Sequence, residues 1–100
     1  MSLVKQESWV FVVLRLSGVR SMQVVVPVYN AFDVLQACVE SLKVHSSQAD
    51  VVFIDDASSD GRVLPFLKSV CKNVNRWDVL KNSNNLGFVK TANRGLQLTQ

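Results

Sequence analysis

The sequence predicts an α/β fold of three layers, with an open parallel sheet between helices. Three observations point there. Short apolar runs recur at nearly equal intervals, at residues 22–28, 51–54 and 77–80. The first two are β-branched and lack polar alternation, the pattern of strands buried on both faces of a parallel sheet. Between and after the runs, apolar residues recur at helical spacing. Such an alternation implies right-handed crossovers and brings all strand ends to one edge. The expected strand order is third-second-first.

In chain order, residues 1–21 read as an N-terminal extension or an extra strand, and residues 22–100 as the main unit. Within the extension, the apolar run 9–16 is closed by Ser17-Gly18 and reads either as a strand or as the tail of an upstream domain. The first main strand follows at 22–28. Leu35, Cys38, Val39 and Leu42 then fall at i, i+3, i+4 and i+7, one helical stripe. Asn30 is the expected N-cap, with Asp33 three residues on as a capping-box acid.

After the second strand, Val63, Phe66, Leu67, Val70 and Cys71 mark a second helix. It is expected to start near Leu64, because Pro65 is tolerated only in a first turn. The third strand is the weakest. A third helix follows Gly87, with Val89, Ala92 and Leu96 as its expected stripe and Gly95 weakening it. With no fourth strand beside it, the first strand would leave a long apolar edge open to pairing. Residues 9–16 are the available cover, within the chain or by exchange, and a homodimer through that edge is an expected assembly.

Composition narrows the function classes. The chain has 100 residues, enough for one small domain, with 48% hydrophobic and 19% charged residues. The net charge of +3 is unevenly spread. After Gly61 the basic residues outnumber the acids, whereas residues 50–60 carry acids alone. The basic residues are scattered singly, without the aromatic interleaving of a nucleic-acid reader, and read as solvated surface. Cys38 and Cys71 match no metal or redox spacing and behave as small hydrophobes, which suggests a reducing, cytoplasmic setting. No run reaches the length of a membrane span.

Ligands of open parallel sheets bind beyond the carboxyl ends of the strands. Three clusters meet there: Tyr29-Asn30, then Asp55-Asp56-Ala57-Ser58-Ser59-Asp60, then residues 82–87 with their asparagines and Gly87. A ring can stack on a base, a carboxylate can accept from a base N–H, and a glycine admits close backbone approach. Each cluster alone also fits ordinary turn chemistry. Other chemistries lack their residues. No Walker loop and no Gly-x-Gly-x-x-Gly is present, and Pro27-Val28-Tyr29-Asn30 stands where the latter would be. His45, the only histidine, falls at a helix end, where it suits the helix dipole. One histidine and two distant cysteines make no ordinary zinc site.

Val24-Val25-Val26-Pro27-Val28-Tyr29-Asn30, then Ile54-Asp55-Asp56-Ala57-Ser58-Ser59-Asp60, then Asn84-Asn85-Leu86-Gly87-Phe88 with Asn93-Arg94-Gly95, resemble the opening of family 2 glycosyltransferases. The resemblance covers about residues 22–98. It implies a partial GT-A (nucleotide-diphospho-sugar transferase) fold, Rossmann-like, and sugar transfer from a nucleotide-diphosphate-sugar donor to an acceptor hydroxyl. By the resemblance, Pro27 and Val28 contact the nucleotide through their backbone and Tyr29 stacks on the base beside Asn30. Asp56 accepts from the base N–H, Asp55 supports the loop, and Asn85, Gly87 and Asn93 line the pocket. A UDP- or dTDP-sugar is the implied donor. Polysaccharide or cell-envelope assembly, at the cytoplasmic face of the membrane in the full-length enzyme, is the implied setting.

The family's Asp-x-Asp motif, which holds Mg2+ or Mn2+ on the donor diphosphate, does not occur in these residues, and neither does its catalytic base. The expectation is therefore a donor-nucleotide-binding half that binds no metal and carries no catalytic residue. The competing reading is a non-catalytic nucleotide-binding or structural fragment.

Overall fold

The computed structural model describes residues 8–17, 21–46 and 48–98. Five strands and three helices follow in the order β1 (Trp9–Val10), β2 (Val13–Ser17), β3 (Ser21–Tyr29), α1 (Phe32–His45), β4 (Asp50–Asp55), α2 (Val63–Lys72), β5 (Trp77–Lys81) and α3 (Phe88–Leu98). β3, β4 and β5 pair in parallel in the expected order, with Val26 opposite Phe53 and Phe53 opposite Val79. The sheet is mixed, not purely parallel. β1 and β2 both pair with β3 antiparallel, Val10 opposite Val28 and Val13 opposite Val25. They lie end to end along the edge of β3 that faces away from β4. The cover for that edge thus comes from within the chain, and residues 9–17 belong to the same sheet.

Alternation along the strands sorts the core into two layers. Val24, Val26, Val28, Val51 and Phe53 point to one face, where Leu35, Val39 and Leu42 of α1 and Val63, Leu67 and Val70 of α2 are buried against them. Val25, Val52 and Ile54 point to the other face, packed with Leu80, Val13 and Leu96 of α3. Helices on both faces make the three expected layers. α2 begins at Val63, so Pro65 falls in its first turn, where the missing N–H breaks no helical bond. Cys38 and Cys71 are both free and half-buried against the α1–α2 layer. His45 ends α1, with Lys43 beside it in the last turn, the favourable end of the dipole for a cation.

Two local expectations are corrected. Asn30 does not cap α1. The N-cap is Ala31, in left-handed conformation with no side-chain cap bond, and the Asn30 side chain turns instead to the loop after β4. On α3 the stripe is rotated. Thr91, Ala92 and Gly95 are the buried positions, while Val89 is 64% exposed. Gly95 does not weaken the helix for nothing. A Cβ there would stand 2.3 Å from Val25 Cγ1 and 2.8 Å from Ile54 Cδ1, so its absence lets α3 settle on the sheet.

Ion pairs offset part of the uneven charge seen in the sequence. The acids of the β4 region are met by bases that follow them: Arg76 Nε lies 2.8 Å from Asp50 Oδ1, and Arg62 Nη2 lies 2.7 Å from Asp60 Oδ2. Both pairs are exposed, where such contacts contribute little to stability. No helix among the described residues is long and apolar enough to cross a membrane.

Candidate functional site at the strand ends

Because β3, β4 and β5 run in parallel, the loops leaving them meet at one edge. The loop after β3 contains two successive non-glycine residues at positive φ, Asn30 (55°) and Ala31 (50°), and the loop after β4 adds Ala57 (57°). Left-handed backbone is uncommon outside glycine, more so for alanine than for asparagine, and such residues cost on the order of 1–3 kcal/mol. Such strain persists only where neighbours enforce it. Here they do: the Asn30 amide N–H donates to Ser58 Oγ at 2.8 Å, and Asn30 Oδ1 accepts from the Asp60 amide at 2.9 Å. Asn30 Nδ2 also donates to Ser59 Oγ at 3.2 Å. The role of Asn30 in the structure is to tie the first strand-end loop to the second.

Asp55 and Asp56 are both buried, at 2% and 0% exposure. Asp55 Oδ1 accepts from the Ser58 amide at 2.9 Å, closing the turn after β4. Asp56 organises the third loop. Its Oδ1 accepts from Asn82 Nδ2 at 2.8 Å and from the Leu86 amide at 2.7 Å, and its Oδ2 accepts from the Gly87 amide at 2.9 Å. Asn85 Nδ2 donates to the Asp56 carbonyl at 3.2 Å. A carboxylate offers about four lone-pair directions, and three of these are used by the chain itself. Gly87, at φ 89°, adopts a backbone that a side chain would strain, and so can present its N–H to Asp56 just before α3 begins.

Asn82 is 2% exposed and links further groups. Its Nδ2 also reaches Thr91 Oγ1 at 3.0 Å, and its Oδ1 accepts from Arg94 Nη1. Thr91 is not among the site residues expected from the sequence, and Arg94 enters there only within the Asn93-Arg94-Gly95 segment. A hydroxyl residue inside an otherwise apolar helical face, at the position of Thr91, is the one signal that marks such a network.

The remaining site residues of the sequence reading fall as follows. Pro27 and Val28 are buried in β3, and their carbonyls are taken up by the Phe11 and Asp56 amides at 3.2 and 2.8 Å. Tyr29 is half-buried at the end of β3 with its ring 6.1 Å from that of Trp9. Trp9 in turn meets Phe88 edge-on at 6.0 Å, and Phe11 lies 4.1 Å from Phe88. β1 therefore adds an aromatic wall beside Tyr29 that the sequence order does not reveal. Asn93 stands exposed on α3, and among the described residues no hydrogen bond joins it to the others. The edge thus gathers Pro27, Val28, Tyr29, Asn30, Asp55, Asp56, Asn85 and Gly87.

A divalent ion fits these residues poorly. Both carboxylates of the Asp55-Asp56 pair are buried and already accept N–H groups of the chain, and no group of three or more His, Cys, Asp or Glu residues among the described residues is placed to hold a metal.

Neither the comparison with curated proteins nor that with solved structures gives a match. The comparison with protein families does: the description "Glycosyl transferase family 2" matches residues 23–100, which spans all three parallel strands and their connecting helices. The chain belongs to glycosyl transferase family 2.

Proposed function

We propose that the strand-end edge binds the nucleoside of a nucleotide-diphosphate-sugar donor whose sugar is passed to an acceptor hydroxyl. Family membership supports a role in glycosyl transfer. The observation that carries the nucleoside reading is the Asp56 network, which fixes the Leu86-Gly87 backbone of the third loop on the edge that Tyr29 closes from the other side. A base stacked on the Tyr29 ring would lie on that edge, and the third loop must move aside for the fully buried Asp56 to offer its one untaken lone-pair direction to an imide N–H. Uracil and thymine carry that N–H and cytosine does not, so UDP- or dTDP-sugars are the proposed donors. Asp55 acts here as a structural carboxylate, while Asp56 both holds the third loop and accepts from the base; neither is assigned as a metal ligand or as a transfer base. The chain as it stands then binds donor nucleotide without turning it over, and no step through a metal ion is assigned to its residues.

The test is a nucleotide titration of the 100-residue chain followed by amide NMR, with UDP, dTDP and CDP in parallel. UDP and dTDP are expected to bind more tightly than CDP, with shifts at Tyr29, Asn30 and Gly87. Base–aromatic stacking contributes about 1–3 kcal/mol, so Tyr29→Ala is expected to weaken UDP roughly tenfold or more. Equal affinity of parent and Tyr29→Ala, with the remaining amide spectrum unchanged, would overturn the reading.

A further inference from the structure

Where β5 ends, an open cleft of about 240 Å³ is lined by Lys81, Asn82, Ser83, Asn84, Leu86 and Arg94. Its lining holds two cations and no carboxylate. Neither Lys81 nor Arg94 has an acidic partner among the described residues. Arg94 is half-buried and held in place from behind, its Nη1 donating to the Lys81 carbonyl at 3.3 Å and to Asn82 Oδ1. Asn82 cannot swing away, because it is buried and its Nδ2 is committed to Asp56 and Thr91. A guanidinium carries five N–H donors, and this fixing uses only one nitrogen of the fork. The rest are left to point a preorganised planar donor set toward the cleft. Beside it stand the flexible Lys81 ammonium, the Ser83 hydroxyl and the Asn84 amide, all on exposed residues.

We propose that this cleft is an anion site that takes a phosphate group, with Arg94 as the oriented fork and Lys81 as the mobile point charge. The pairing of a fixed guanidinium with an ammonium is suited to tetrahedral oxyanions, which accept several charge-assisted bonds at once. The site is separate from the proposed nucleoside edge, since β4 and the buried Asp55-Asp56 pair lie between Lys81 and Tyr29. The two share one loop, because Leu86 both lines the cleft and donates its amide to Asp56.

The probe is inorganic phosphate, titrated into the full chain at constant ionic strength set with chloride. Saturable shifts are expected at the Ser83 and Asn84 amides and at the Arg94 Nε–H. Arg94→Gln is expected to weaken them roughly tenfold, as loss of a charge-assisted bond does, and Lys81→Gln by less. Arg94→Lys keeps the charge without the fork and should fall between Arg94→Gln and the parent. Should Arg94→Gln disturb the Asn82 network, the exposed Lys81→Gln variant still decides, because Lys81 has no side-chain bond to lose. Equal shifts in chloride alone would overturn the proposal, and so would phosphate affinity unchanged in both variants. A parallel titration with uridine, which lacks phosphate, reports on Tyr29, Asn30 and Gly87. Loss of uridine binding would count against the nucleoside reading while phosphate shifts at Ser83 and Asn84 still stood.

Discussion

On one face of the sheet two helices meet the strands through large side chains; on the other, α3 meets them through the lack of one. Leu35, Val39, Val63 and Leu67 are fully buried between helices and strands on the first face, together with Phe53 and Trp77, whose rings contact edge-on at 5.6 Å. On the second face, Val25, Val52 and Ile54 form a small cluster, and α3 is seated on it at Gly95. The difference teaches where close approach is needed. The face covered by α1 and α2 supplies most of the apolar burial. The α3 face must bring Thr91 and Arg94 within reach of Asn82, and a bulky residue at the contact would hold the helix too far out for those bonds.

Leu67→Ala tests the first face and carries the largest expected effect. Leu67 is fully buried, and deletion of such a side chain typically costs about 2–5 kcal/mol through lost burial and the cavity left behind. Urea unfolding should show a lower midpoint with an unchanged slope. A loss below about 1 kcal/mol would mean that α2 is held by something other than its buried stripe, since losses at this kind of site scale with how little the cavity can collapse.

Gly95→Ala tests the second face, where two effects oppose. Alanine favours a helix interior over glycine by about 1 kcal/mol. Against that, the new methyl meets Val25 Cγ1 at 2.3 Å and Ile54 Cδ1 at 2.8 Å, both on fully buried strand residues. Val25 is β-branched and has little rotamer freedom with which to yield. Overpacking of this kind costs about 1–3 kcal/mol, so the variant should be destabilised on balance, with the Asn82 and Thr91 resonances shifted. If Gly95→Ala raises the unfolding midpoint, α3 does not depend on close approach.

This contrast also marks what the sequence could reveal. The strands and the buried stripes of α1 and α2 were legible because apolar side chains repeat at the period of the element that buries them. α3 was misread because its contact is made of Thr91, Ala92 and Gly95, which carry little hydrophobic signal, while Val89 carries a strong one and faces outward. At the candidate site, the clusters around Tyr29, Asp56 and Gly87 were legible from their places after strands. The function of Asn30 as a tie to Ser58 and Asp60 was not, because a cap and a cross-loop bond use the same residue type. Nor was the Asp56 to Asn82 bond, which joins residues far apart in sequence and exists only once β4 and β5 are paired. The antiparallel placing of β1 and β2 is a choice of partner and direction, about which an apolar run is silent.

The smallest expected effect concerns the thiol that the two-helix face encloses. Burial, with a further contribution from Asp78, pushes the Cys71 thiol up to about 11 from its usual 9.0, and burial also pushes up Cys38. The folded chain therefore favours the neutral thiol more than the unfolded chain does. The folded value is the raised one, so this stabilisation is fully present below pH 9.0 and is lost as pH rises through about 11. Cys71 is only half-buried, so solvent screening makes the contribution modest. The gap in unfolding midpoint between the parent and Cys71→Ala should thus be constant up to pH 9 and shift against the parent above it. Reactivity gives the more sensitive readout. The thiolate is the reacting form, and a thiol that titrates near 11 instead of 9.0 holds roughly a hundredfold less of it at about pH 8. Alkylation of Cys71 by iodoacetamide in the folded chain should be slower than that of a free cysteine, by about tenfold or more once the higher nucleophilicity of a more basic thiolate is allowed for. A rate equal to that of free cysteine, measured while the chain remains folded, would show that the α1–α2 face is open at α2 and would reverse the comparison between the two faces.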